Sequence, residues 1–164
     1  MIFDMNQHSK NAERSPMRFL FINSLAIGLL LLAQGARADD AGKSMFDNRC
    51  AACHGAAGVG IEGIAPPLQN PDLWKSLGGN GAKYMAGVMT GGLGGAINVA
   101  GIDYRGLVMP PQSYIDSTEL SVIAKYVVQT LNAGASTPGV ALINELKAAP
   151  LSHAALRLIR KGAQ

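Results

Sequence analysis

The chain has 164 residues, 48% of them hydrophobic but only 5% aromatic, and 14 Lys/Arg against 11 Asp/Glu give a formal net charge of +3. Much of that excess lies at the start: residues 39 to 164 hold ten basic and nine acidic side chains, a net of +1, so nothing in the charge suggests a nucleic-acid partner. The length suits one domain of about 100 residues with something smaller beside it.

Arg14 and Arg18 precede an apolar run from Phe19 to Ala33, and Ala36-Arg37-Ala38 follows it. A positive flank, a short apolar stretch and a small-x-small end describe a secretory signal peptide over residues 1–38. The run is shorter than the roughly 20 apolar residues a spanning helix prefers; retention as an N-terminal anchor is the alternative. The first sixteen residues are polar, unlike a usual leader start, which makes Met17 a second candidate initiator. Asp39 to Cys50 then reads as a short helix with Asp39 or Asp40 as N-cap. Gly42 and Phe46, four apart, share one face of it.

Residues 50–54 read Cys-Ala-Ala-Cys-His and use both cysteines of the chain. A zinc site needs about four thiolate or imidazole ligands, more than the two cysteines and scattered histidines provide. A thioredoxin-like pair shares the Cys-x-x-Cys spacing but needs a βαβ setting, and no strand–helix–strand pattern surrounds this one. The remaining reading is c-type haem attachment. Thiols at i and i+3 lie on one face of a helix, where Cys50 and Cys53 can form thioethers to the two vinyl groups of one porphyrin. His54 is then the proximal iron ligand. Export fits this chemistry, because thiols and haem must meet outside the reducing cytoplasm.

Gly- and Pro-rich sequence from Gly55 to Pro71 reads as a loop, and a weak helix follows around Lys83 to Met89. Ile97 to Tyr104 holds two short β-like runs about Ala100-Gly101, a hairpin pattern. The clearest helix starts at Asp116. Asp116 as N-cap and Glu119 at N3 make a variant of the capping box, with Ile115 stapling onto Leu120. Leu120, Ile123, Ala124, Val127 and Leu131 form its apolar stripe. Asn132 to Gly139 reads as a linker, and two short helices follow, split by Pro150, the second capped by Ser152. Few aromatics and many glycines suggest a core built partly around something other than protein, a volume that a haem supplies.

In its motifs, Cys-Ala-Ala-Cys-His, Ala-Pro-Pro-Leu and Val-Met-Pro-Pro in that order, the chain resembles the class I c-type cytochromes over about residues 40 to 132. The resemblance implies an all-α, small cytochrome c fold: crossed N- and C-terminal helices around one haem, here with a short β-hairpin insertion and a helical C-terminal tail. Gly42, Phe46 and Tyr126 match the family's crossing point. The resemblance implies that the Pro66 carbonyl accepts the Nδ1–H of His54, fixing its tautomer and strengthening it as a ligand, and that Leu68 packs on the porphyrin. It implies Met109 as sixth ligand, a soft thioether that raises the potential of a His/Met haem. Pro110 favours an extended backbone at Met109, which suits a side chain held out toward the haem. Met85 and Met89 are read as core, and His153 is the rival ligand. Trp74, Tyr104 and Arg105 are candidate propionate donors, with ordinary packing or surface roles as the alternative.

The stretch before Met109 is longer than in compact mitochondrial forms and is similar to the cytochrome subunits of periplasmic dehydrogenases. The organisation expected is therefore a signal peptide (1–38), a haem domain (39–135) and a C-terminal helical extension (136–164). The function expected is that of a periplasmic electron carrier with one covalently bound haem c, and not an enzyme; a dedicated subunit of a dehydrogenase complex is the second reading. Its partners are then redox proteins, a periplasmic dehydrogenase as donor and an oxidase or another cytochrome as acceptor. The tail from 136 carries four basic residues and one acidic residue. Its apolar face (Leu151, Leu156, Ile159) beside Arg157, Arg160 and Lys161 would dock on a partner or an anionic membrane surface, or fold back on its own domain. A haem enzyme or gas sensor, with Met109 off the iron, ranks last.

Overall fold

Asp116 shows how locally the chain encodes its elements. Its carboxylate accepts the backbone N–H of Thr118 at 2.8 Å and of Glu119 at 3.3 Å, satisfying two donors that a helix start leaves unpaired. Ile115 beside it is buried, 3% exposed. The computed structural model describes residues 40–162; the expected signal peptide and the Asp39 cap lie outside the described residues.

Within that span a helix over 40–49 (α1) leads into the short α2 (Ala51–His54). Then come α3 (Pro71–Leu77), α4 (Gly81–Gly91), four short strands, α5 (Ser117–Lys125), α6 (Val140–Ala148) and α7 (His153–Gly162). The strands β1 (Leu93–Gly94) and β4 (Val108–Met109) pair antiparallel, as do β2 (Ile97–Val99) and β3 (Ile102–Tyr104). The second pair is the expected hairpin. Its turn residues Ala100 and Gly101 both have positive φ, 48° and 85°, the conformation of the turns that match strand twist.

The stripe on α5 continues through one π-helical turn, Tyr126–Thr130, and α1 crosses it there. A Cβ placed on Gly42 would lie 2.9 Å from the Tyr126 Cβ and 3.3 Å from the Val122 carbonyl oxygen. Phe46 is fully buried and its ring sits 5.5 Å from that of Tyr126. The helices touch because one of them lacks a side chain. Gly42→Val is accordingly expected to destabilise the protein by about 3 kcal/mol, the upper end for overpacking, since Cβ and backbone atoms cannot rotate away. A denaturant midpoint that falls with an unchanged slope would show it, and an unchanged midpoint would contradict this crossing.

Glu119 does not close the capping box. It takes Arg49 instead, through Nε at 2.7 Å and Nη2 at 3.2 Å. A two-pronged guanidinium is a stronger partner for a carboxylate than one backbone N–H, and this pair ties the end of α1 to the start of α5.

Two stretches read as loop or linker are ordered. The side chain of Asn70 accepts the Leu73 N–H at 3.3 Å and Pro71 opens α3, a cap-then-proline start hidden in a Pro-rich run. Asn132 is buried, and its side chain accepts the Asn70 N–H at 2.6 Å while donating to the carbonyls of Leu68 at 3.1 Å and Val127 at 2.7 Å. A side chain that satisfies three backbone groups of two separate segments is a clamp, so the segment from 132 is no free linker.

The tail folds back. Ser152 caps α7 by accepting the Ala155 N–H at 3.1 Å, and α7 lies on α3 and α4. Leu156 is fully buried, with its Cδ2 only 2.6 Å from where a Gly87 Cβ would stand. Leu151 and Ile159 pack on the same core, so the face that the sequence offered to a partner or a membrane is used internally. Among the described residues no helix is long and apolar enough to cross a membrane.

Candidate cofactor site

The helix α2 is one turn long, begins after Cys50 and ends at His54, where Gly55 (φ 72°) turns the chain away. Cys50 is half-buried and Cys53 exposed, and they are not joined to each other by a disulfide. Burial pushes the Cys50 thiol up to about 11, with the nearby Glu119 and Cys53 adding to the shift.

Cys50, Cys53, His54, Pro66, Leu68 and Met109 all line one cavity of about 450 Å³, a volume in the range of cofactor sites. Met109 reaches it through pairing the sequence does not announce: β4 lies against β1, with Met109 opposite Leu93. Gln112 holds the following loop by donating its N–H to the Met89 carbonyl at 2.7 Å. Met89 is buried, 4% exposed, and lies off the cavity wall. Met85 is also buried, at 8%, but lines the cavity together with Met109.

Of the proposed propionate donors, Trp74 and Tyr104 line the cavity. Arg105 does not; it is exposed and paired with Asp103 at 3.1 Å. His153, the rival ligand, lies off the wall with Nε2 at 3.2 Å from the Gly91 carbonyl oxygen, where it caps the end of α4. Among the described residues no three of His, Cys, Asp and Glu gather as a metal cluster would require.

The cytochrome c family profile matches residues 40–131. The chain belongs to the cytochrome c family. It is also 30% identical over 115 residues, 70% of each chain, to cytochrome c-552 of Thermus thermophilus. As a family member it carries covalently bound haem c and is an electron carrier.

The residues of this cytochrome fit that group. The wall is largely apolar, with Leu68, Leu73, Val88 and Val127 among its side chains. Burial lowers the pKa of His54 against the opposing pull of the Pro66 backbone, which favours the neutral ring that an iron ligand requires. Its Nδ1 is buried without a partner of full hydrogen-bond geometry, yet the Pro66 backbone is near enough to act on the ring. A buried, unpartnered ring nitrogen beside the Pro66 backbone fits the second hydrogen bond that an imidazole holding iron would need.

The sequence reading missed Tyr84 and Arg160 on this wall. Arg160 stands four residues after Leu156, on the same helix face, and that spacing was the available signal.

Proposed function

We propose that this cytochrome is a periplasmic monohaem carrier in which Cys50 and Cys53 hold the haem by thioethers and His54 and Met109 are the two axial ligands. The observation that carries the reading is the convergence of these four residues, with Pro66 and Leu68, on one largely apolar cavity. When bound, haem iron accepts and releases single electrons. Cys50 and Cys53 tether the group while the iron cycles. Pro66 orients His54 and makes it a stronger donor, and Leu68 gives the group an apolar contact. With His54 and Met109 both holding the iron, a bound haem would have no position left for a substrate, and no acid or base would be required.

The cavity rim suits transient redox partners. Ile64, Val108 and Tyr114 line it and are 53%, 68% and 75% exposed, an apolar edge for contact with a donor dehydrogenase and an acceptor oxidase or cytochrome. The burial of the tail's apolar face favours the free carrier over a fixed dehydrogenase subunit. Export follows from the leader over 1–38, ahead of the haem domain (39–135) and the extension (136–164), and from the need to join thiols to haem outside a reducing compartment.

Carbon monoxide offered to the reduced, unmutated protein tests the ligand set. Binding is expected to be slow and limited by departure of Met109. Fast binding at a rate proportional to carbon monoxide concentration would mean an open iron, and a ligand-binding or catalytic haem instead of a carrier.

A further inference from the structure

The helix α7 lies beyond the family match, which ends at residue 131, yet it contributes a charge to the haem cavity. Arg160 is 7% exposed and lines the wall. Its Nη1 donates to the Tyr84 hydroxyl at 3.1 Å and its Nη2 to the Asn98 carbonyl at 2.6 Å. Its Nε is buried with no partner. Among the described residues the ion pairs are Lys43–Asp47, Arg49–Glu119 and Arg105–Asp103, and Arg160 belongs to none of them.

A buried guanidinium held only by neutral groups is costly, because buried charges need a counter-charge. The surroundings do not provide one. Asp103 on β3 is exposed and taken by Asn98 and Arg105, and Asp72 and Lys75 on α3 are both exposed. Tyr84 is already the hydrogen-bond partner, and Tyr104 lines the same cavity. On α7 itself, Arg157 is turned to the Gly94 carbonyl and His153 to that of Gly91.

The missing anion is one that the cofactor brings. We propose that Arg160 binds a haem propionate, using its open Nε–H, so that the C-terminal extension is part of the haem site and helps set its reduction potential. The inference rests on the haem reading of the cavity. Tyr84 and Asn98 hold the two Nη groups and thereby aim the fork, while Gly87 lets α7 come close enough to deliver it. The cation opposes the propionate's negative charge beside the iron, and that favours the reduced state, which carries one positive charge fewer.

The test is a redox titration of haem-loaded Arg160→Gln against pH, with Arg157→Gln as control. Arg160→Gln should lower the potential at neutral pH and make it vary with pH as the released propionate titrates; Arg157→Gln should do neither. Arg160→Lys, which keeps the charge, should recover most of the potential. A folded, haem-loaded Arg160→Gln with the potential and pH profile of the parent overturns the proposal. A second measurement needs no variant: in the parent holoprotein the Arg160 Nε–H proton signal should be shifted by a carboxylate acceptor and slow to exchange. Exchange as fast as in free arginine would overturn it as well. A colourless parent would count against the haem reading itself, which keeps the two failures distinct.

Discussion

The double variant Cys50→Ala, Cys53→Ala is expected to lose all covalently held haem and most of its fold. Acidified organic solvent should leave the haem on the parent polypeptide and strip it entirely from the variant. Mass spectrometry should show one haem on the parent and none on the variant. The alanines themselves cost little packing, since Cys50 is half-buried and Cys53 exposed. The larger loss comes from the cavity. At about 24 cal/mol per Å³ of empty space, about 450 Å³ amounts to roughly 10 kcal/mol, an upper bound because water can enter at the rim. That rivals the whole stability of a small domain, roughly 5–15 kcal/mol. The haem-free variant should therefore show little helical circular dichroism at room temperature. A variant that keeps its haem through extraction would sink the attachment reading, and a stable helical apo form would mean that the cavity collapses on itself.

What the sequence discloses depends on how local each feature is. Cys50, Cys53 and His54 stand out in the sequence because haem attachment would fix their spacing, and α5 is legible because Asp116 and an apolar stripe mark its start and face. The Gly42–Tyr126 crossing is legible through the family resemblance. Other features are set by partners distant in the chain. The β1–β4 ladder has two residues on each side, too few for any periodicity to register. Asn132 looks like a turn residue until Leu68, Asn70 and Val127 are seen around it. Arg160 reads as surface charge because its burial depends on Gly87, more than seventy positions earlier, letting α7 approach α4. An amphipathic pattern tells which side chains share a face, and only the fold tells which face is covered.

The second large effect concerns Met109. Methionine and leucine differ little in volume, so Met109→Leu should cost less than about 1.5 kcal/mol in packing while removing a sulfur that the iron would otherwise hold. Met85 is the demanding control, since it lines the same cavity and is the other thioether placed to compete. Loss of a soft axial ligand lowers the potential of a haem, and an emptied sixth position admits small ligands quickly. Met85→Leu should leave the potential and the ligand kinetics near those of the parent.

The oxidised-state absorption spectrum of these two variants is the most direct single measurement of the account. A weak band in the red marks methionine sulfur on ferric haem. It should be present in the parent, persist in Met85→Leu and vanish in Met109→Leu. A band that survives in Met109→Leu, or vanishes in Met85→Leu, would contradict the assignment of Met109 as the sixth ligand.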